Sequence, residues 1–341
     1  MRKVKLGKTG LKVSRVGIGG IPIQRPPPQE AVKVIRRALD LDINLIDTSI
    51  GYGDSELRIG QAVKGRRDDA IIATKGSWRG AEATTTTIEG SLKRLQVDTI
   101  DLWQFHNIPT PADWENFLAD GGSLAAAHRA LDGGKILHLG FSTHNLDVAL
   151  LGVESGLFET VQFPFDFISD EAAAELVPLA KKHNVGFIGM KPFAGGNITD
   201  ARLALGWLLR HPTVVPDPGV ERVEEVEEIV RIVNHPPKLS EADLSQIETI
   251  KAELGKRFCR QCLYCMPCPN GVNIWMTNIT RKMHHLWPED EFYKIMDEPL
   301  KSAENCVQCG ECEAKCPYGL PIREMIQDSL AYYRQLQEAR S

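Results

Sequence analysis

The chain has 341 residues, 43% apolar and 25% charged, a composition that suits a globular protein with one large core or two ordinary ones. Its formal net charge of −5 argues against a general nucleic-acid binder, because phosphate contacts need a basic face. No run reaches the roughly 18 apolar residues of a membrane span, and the opening MRKVKLGKTG lacks the apolar segment of a secretory leader; the expectation is a cytoplasmic chain with reduced thiols.

In chain order, residues 3–13 read as a hairpin turned at Thr9-Gly10, placed to plug the bottom of a barrel. Apolar, β-branched runs then recur at 13–19, 43–48, 70–75, 99–106, 136–142, 159–163, 185–191 and 213–216. Helical patterns follow them at 28–41, 54–64, 84–95, 122–133, 145–153, 170–183, 200–210 and 223–233. The acidic stretch 221-ERVEEVEEIVR reads as a solvated helix face. Eight strand–helix units predict an α/β chain folded as a closed (β/α)8 TIM barrel. An open doubly wound sheet would carry G-x-G-x-x-G after its first strand. This chain has 17-GIGGIPIQRPPP there. The segment 107-NIPTPADWENFLADGG reads as a long loop, whose Trp114 and Phe117 join Trp78 as candidate pocket aromatics.

Four polar residues fall where apolar strands stop. Asp47 ends the second, Lys75 the third and His106 the fourth, while Tyr52 follows in 48-TSIGYGDSE. Barrels of this kind build their chemistry at that end of the strands. The set suits reduction of a carbonyl, whose oxygen needs a proton as it accepts hydride. Tyr52 can donate it, and a neighbouring Lys75 cation is expected to lower its pKa. Asp47 would hold Lys75 charged, and His106 could hydrogen-bond the carbonyl oxygen.

Cysteine usage divides the chain. All eight cysteines lie from Cys259 to Cys316. With the proline-rich turn 234-NHPPKLSEAD, where Ser240 is a helix N-cap, this predicts a barrel at 1–235, a linker helix at 236–258 and a cysteine domain at 259–341. The run 306-CVQCGECEAKCP is C-x2-C-x2-C-x3-C-P, the bacterial ferredoxin spacing for a [4Fe–4S] cluster, and 259-CRQCLYCMPCP differs only by x2 before its last cysteine. Zinc sites instead favour two separated C-x2-C pairs. Two clusters are expected, in a mainly helical ferredoxin-like domain. Where the fourth cysteine ligates the other cluster, Cys259, Cys262, Cys265 and Cys316 hold one. Cys306, Cys309, Cys312 and Cys268 hold the second. His284 and His285 read as surface residues, and a last helix near 322–338 should bury Ile322, Met325, Ile326, Leu330 and Tyr333.

The segments 44-NLIDTSIGYGDSE, 73-ATK and 104-QFHN resemble the aldo-keto reductase family, as does the opening 6-LGKTGLKVSRVGIGG. The resemblance covers the first 235 or so residues. It implies NADP- or NAD-dependent carbonyl reduction or alcohol oxidation, with Asp47, Tyr52, Lys75 and His106 in the catalytic positions. Ser142 in 140-GFSTHN and Gln162 in 160-TVQFPF match positions that hold the nicotinamide carboxamide, although Thr143 replaces the usual Asn. In 189-GMKPFAGG, Met190 stands where most members stack a tyrosine on the nicotinamide, and Lys191 follows. The segment 216-PDPGVERVEEVEE, with Gly219 and Arg222, resembles the pyrophosphate and adenosine region. Glu225 there replaces a basic residue that would grip a 2′-phosphate. The whole chain is similar to a ferredoxin-fused branch of the family.

Nicotinamide moves two electrons and iron–sulfur clusters move one, and no flavin fingerprint bridges them. Three expectations follow: a carbonyl reductase with structural clusters, an enzyme wired to a ferredoxin-like electron-transfer partner, or a redox-sensing nicotinamide-binding module with little turnover.

Overall fold

The computed structural model describes residues 1–340. Chain contacts divide into two compact units, Met1–Leu244 and Ser245–Ser341.

The first unit opens with a hairpin of β1 (Lys3–Lys5) and β2 (Lys12–Ser14), antiparallel with Val4 opposite Val13. Eight parallel strands follow: β3 (Ile18–Gly19), β4 (Leu45–Asp47), β5 (Ile71–Gly76), β6 (Ile100–Phe105), β7 (Ile136–Ser142), β8 (Thr160–Pro164), β9 (Gly186–Met190) and β10 (Val214–Asp217). Each pairs with the next, and a parallel bridge from Gly19 to Gly219 brings the ends of the sheet together. The result is the (β/α)8 barrel expected from strand–helix alternation.

The expected first strand, 13–19, is split. Residues 12–14 belong to the hairpin, and only Ile18–Gly19 enters the barrel. Ser14 makes the break: its hydroxyl donates to the Val16 carbonyl at 2.7 Å and accepts from the Asn44 amide at 3.0 Å. An apolar β-branched run looks the same whether it serves one sheet or two.

The first nine helices are α1 (Pro28–Asp40), α2 (Ser55–Val63), α3 (Ala81–Leu95), α4 (Pro111–Asp120), α5 (Gly122–Asp132), α6 (Leu146–Glu154), α7 (Leu176–Lys182), α8 (Ala201–Leu208) and α9 (Val223–Asn234). Helix α4 corrects the expected long loop. Thr110 caps it, accepting from the Asp113 amide at 3.1 Å, and Pro111 occupies the first turn, where its missing N–H costs nothing. The three-residue spacing of Trp114 and Phe117 puts both on one face. They bury against Phe141 and Phe158, and Trp78 is only 9% exposed in the same core. All three aromatics pack into the core between sheet and helices.

Strand pleating sorts the side chains. Ile46, Ile72, Trp103, Phe141 and Val161 face the helices. Leu45, Ala73, Leu102, Ile188 and Val215 fill the barrel interior. Leu6 and Val13 of the hairpin segment cap that inner cluster, as the expected plug requires. The fit is close: Gly7 has φ +54°, and a Cβ there would lie 2.1 Å from the Gly186 nitrogen. One pleat above Leu45, Leu102 and Val215, the alternate strands β4, β6, β8 and β10 project Asp47, Gln104, Gln162 and Asp217, all buried. A barrel layer of four side chains is ordinary, but such layers are usually apolar.

The second unit is helical: α11 (Ile274–Asn278), α12 (Thr280–Leu286), α13 (Glu289–Ala303), α14 (Glu311–Ala314) and α15 (Ile322–Arg340). Before them α10 (Glu241–Leu254) follows the Ser240 cap, whose hydroxyl accepts from the Asp243 amide at 3.2 Å. Helix α15 buries Ile322, Met325, Ile326, Leu330 and Tyr333, the face its sequence period marks. Their partners include Phe292, Met296 and Leu300 of α13. His284 is not a plain surface residue: its Nδ1 lies 2.7 Å from the Tyr332 hydroxyl, and its ring packs on Phe292. Among the described residues, no helix is long and apolar enough to cross a membrane.

Candidate active site and cysteine centre

The four polar residues singled out in the sequence gather at the C-terminal ends of the strands. Lys75 is fully buried, and its ammonium donates to Asp47 Oδ2 at 2.5 Å and to the Thr48 carbonyl at 2.7 Å. Burial opposes its charge, but Asp47 and the Tyr52 oxygen outweigh that and raise its pKa well above the usual lysine value. It stays an ammonium. The same Nζ lies 4.9 Å from the centre of the Tyr52 ring.

For Tyr52 the expected acidification is overturned. Burial pushes the phenol pKa up, Lys75 pulls it down, and Asp47 and Asp217 push it up again; the net shift is upward. Desolvation of a phenolate here exceeds the attraction of a cation already shared with a carboxylate. The site therefore holds Tyr52 as a protonated donor.

His106 packs edge-on to Tyr52, with ring centres 5.6 Å apart. Burial, then the charges of Lys75 and Lys191, depress its pKa to about 3, so the ring is neutral. Its Nδ1 lies 2.9 Å from the Ser49 hydroxyl. Where the one Ser49 proton goes to this nearer nitrogen rather than to the Lys75 carbonyl at 3.3 Å, the ring proton sits on Nε2, the tautomer that can donate to a carbonyl oxygen. Ser49 takes a further hydrogen bond from the Gly51 amide at 3.1 Å, which fixes its position.

Three of these contributors were missed in the sequence. Ser49 lies inside the 48-TSIGYGDSE segment, two residues past Asp47. Gln104 sits two residues before His106; its Nε2 lies 3.3 Å from Asp47 Oδ1 and 3.1 Å from Gln162 Oε1. Asp217 ends β10 and is 5% exposed; its Oδ2 accepts from Gln162 Nε2 at 3.1 Å. An acid between two prolines at a strand end was the available signal, but only the barrel's closure carries it to Asp47.

The residues expected to touch a cofactor fall in two groups. Ser142 and Gln162 lie inside the strand ends. Ser142 Oγ accepts from the Asn107 amide at 2.9 Å, and Gln162 is held between Gln104 and Asp217. Met190 and Lys191 are partly buried, as are Tyr52 and His106. Lys191 has a left-handed backbone, φ 59°, and its Nζ lies 2.5 Å from His144 Nε2. Gly219 is exposed at the same end, where a Cβ would meet Pro22 Cγ at 2.7 Å. Arg222 caps α9 and grips Glu225 Oε1 with Nε at 2.9 Å and Nη2 at 2.8 Å. The residue that replaces the expected basic group thus also engages the nearby arginine.

In the second unit the cysteines form two gatherings. Cys259, Cys262, Cys265 and Cys316 line one concavity. Cys268, Cys306, Cys309 and Cys312 line the next, with Cys265 between them. Gln261, Leu263 and Gln308, each between two cysteines, have left-handed backbones with φ of 63°, 65° and 60°. Such alternation turns successive amide N–H groups inward as an anion nest, a feature of iron–sulfur sites. Burial and neighbouring thiols push Cys262 to about 11 and Cys265 to about 12, so these sulfurs need a metal to become thiolates at neutral pH. The donor set and its cradle fit iron–sulfur clusters.

Comparison with known proteins agrees with both units. The aldo/keto reductase family profile matches residues 15–203, and the chain belongs to that family. A 4Fe-4S dicluster domain profile matches residues 258–321. An aldo-keto reductase of Bacillus subtilis, YhdN, is 31% identical over 205 residues, covering 54% of this chain and 60% of that protein. An L-galactose dehydrogenase of Arabidopsis thaliana is 31% identical over 214 residues, covering 57% of this chain and 66% of that protein. The match thus spans less than two thirds of either relative. A holo-form aldo-keto reductase from Bacillus halodurans superposes with a TM-score of 0.62 at 24% identity, over 73% of this chain and 96% of that one. One from Klebsiella pneumoniae, solved in complex with NADPH, gives 0.63 at 23%, over 73% and 95%.

Proposed function

We propose that the chain is a nicotinamide-dependent oxidoreductase that reduces a small carbonyl compound, or oxidises the matching alcohol, at the C-terminal ends of the barrel strands. The observation that carries this reading is the buried Asp47–Lys75 pair beside a protonated Tyr52, with neutral His106 edge-on to the phenol. When bound, the cofactor supplies the hydride. Tyr52 donates its proton to the carbonyl oxygen. Lys75 stabilises the phenolate left behind, and Asp47 keeps Lys75 oriented and charged. His106 Nε2 donates to the same oxygen, positioned through Ser49. In this reading Gln162 and Ser142 would hold the carboxamide, Met190 would take the nicotinamide side, and Lys191 and Gly219 would take the phosphates. Arg222 is engaged by Glu225, which favours NAD over NADP, the cofactor type seen in the Klebsiella relative.

The cysteines hold two [4Fe–4S] clusters in this reading, one on Cys259, Cys262, Cys265 and Cys316 and the other on Cys268, Cys306, Cys309 and Cys312. When bound, they supply one-electron transfer or structural support. The exposure of Cys309, alone among the eight, favours exchange with a ferredoxin-like partner at the second gathering. The chain would work in the cytoplasm.

The test uses anaerobically purified protein, carbonyl reduction with NADH and NADPH in parallel, and iron and sulfide analysis. The expected results are a Tyr52→Phe loss of about 100-fold or more in kcat, a higher kcat/KM with NADH, and about eight irons per chain. Full activity in Tyr52→Phe removes the proton-donor assignment.

A further inference from the structure

Two acids and one cation share the polar floor of the barrel. Asp47, Lys75 and Asp217 are all at least 95% buried, and Asp47 is already the ion-pair partner of Lys75. The Asp217 carboxyl faces Asp47 and Tyr52. Strand β3 pairs with β4, bridges from Gly19 to Gly219 just past β10, and offers only the glycine at the level of Asp47. Asp217 Oδ2 is satisfied by Gln162, but its Oδ1 is buried with no hydrogen-bond partner. With both acids ionised, the enclosed cluster would carry a net negative charge and two carboxylates with no donor between them. One proton removes both costs.

We propose that Asp217 is a positioning residue of the candidate site: its neutral carboxyl hydrogen-bonds Asp47 and keeps a second negative charge away from Tyr52 while Tyr52 donates its proton. This rests on the oxidoreductase reading above. The titratable groups facing Asp217 are Asp47 from β4, Lys75 from β5 and Tyr52 from the loop after β4; β8 offers Gln162, and Met190, beside it on β9, is uncharged. Burial and the facing Asp47 both raise its pKa well above that of an ordinary aspartate. As pH rises, Asp217 loses this proton to solvent, and its new charge makes Tyr52 harder to ionise. Asp217 therefore couples to Tyr52 without touching substrate. Nothing is consumed: one O–H bond breaks, and the freed proton enters water.

The experiment compares the intact protein with Asp217→Asn, which keeps shape and neutrality, and Asp217→Leu, which keeps neither hydrogen bond. Infrared spectra at neutral pH should show a protonated carboxylic C=O band in the parent that both variants lack. In alcohol oxidation, which needs the phenolate, the alkaline midpoint of the pH–rate profile should fall by about one unit in Asp217→Asn, because no charge then opposes Tyr52. A merely structural role predicts lower kcat at every pH with the midpoint unmoved, and that result overturns the proposal. So does a parent spectrum without the band. If neither variant folds, the pH at which the band disappears in the parent decides: loss only above neutrality supports the proposal, and absence at neutral pH sinks it. The infrared readout needs no turnover, so its outcome stands apart from Tyr52→Phe, on which the oxidoreductase reading depends.

Discussion

The barrel and the cysteine-rich unit organise their polar groups in opposite ways. In the barrel, a large apolar core between sheet and helices fixes eight strand ends, and Asp47, Lys75, Gln104, Gln162 and Asp217 hydrogen-bond one another across them. That site is assembled by the protein alone. The second unit has one small core, mainly from α11, α13 and α15, and its cysteines lie outside those three helices, seven on irregular backbone and Cys312 in the one-turn α14. Its polar groups are thiols, which cannot satisfy one another. Preorganisation by strands needs no ligand, whereas eight clustered sulfurs need one.

The sharpest way to break that comparison is to withdraw iron. Anaerobic chelation, or Cys262→Ala, should abolish folding of the cysteine-rich unit outright, as for other small metal-dependent domains, while the barrel keeps its strands. Circular dichroism should show loss of helix with a separate barrel transition. A single unchanged transition would mean that the small core is sufficient by itself.

The reverse perturbation targets the barrel core. Phe158 is fully buried against Phe105, Phe117 and Phe141. Phe158→Ala should cost about 3–5 kcal/mol in denaturant unfolding of the barrel and leave the cluster absorbance unchanged. Bleaching of that absorbance would show the two units to be energetically joined.

The smallest effect expected is one of pH. The unfolded chain protonates His106 near 6.5, whereas the folded chain holds the partly buried ring neutral down to about 3. The folded pKa is depressed, so stability falls as pH drops through that window, by up to about 1.4 kcal/mol per pH unit. His106→Asn should flatten the dependence, read from urea midpoints between pH 6.5 and 5. An equal slope in the variant would assign the loss to other groups.

The residues differ in how far sequence alone carried them. Asp47, Lys75 and His106 could be placed because each stops an apolar strand, and strand ends in a barrel of this kind share one face. Cysteine spacing announced the clusters in the same local way. Helix α4 escaped because its acidic and proline-rich start reads as loop, although Thr110 and Pro111 are sound helix-start signals. The Tyr52 shift escaped for a different reason: burial is a property of the closed mouth, and no residue near Tyr52 in sequence reports it.

Local chemistry in the chain therefore determined the repeating strand–helix order, the hairpin plug, the four polar strand-end residues and the thiol groupings, since each depends on spacing over a few residues. Tertiary structure decided which strands face one another across the barrel. It brought Asp217, separated by 170 positions from Asp47, into the same sealed layer. Hydrogen bonds and desolvation act through space, and a buried charge acquires its partner only when the sheet closes.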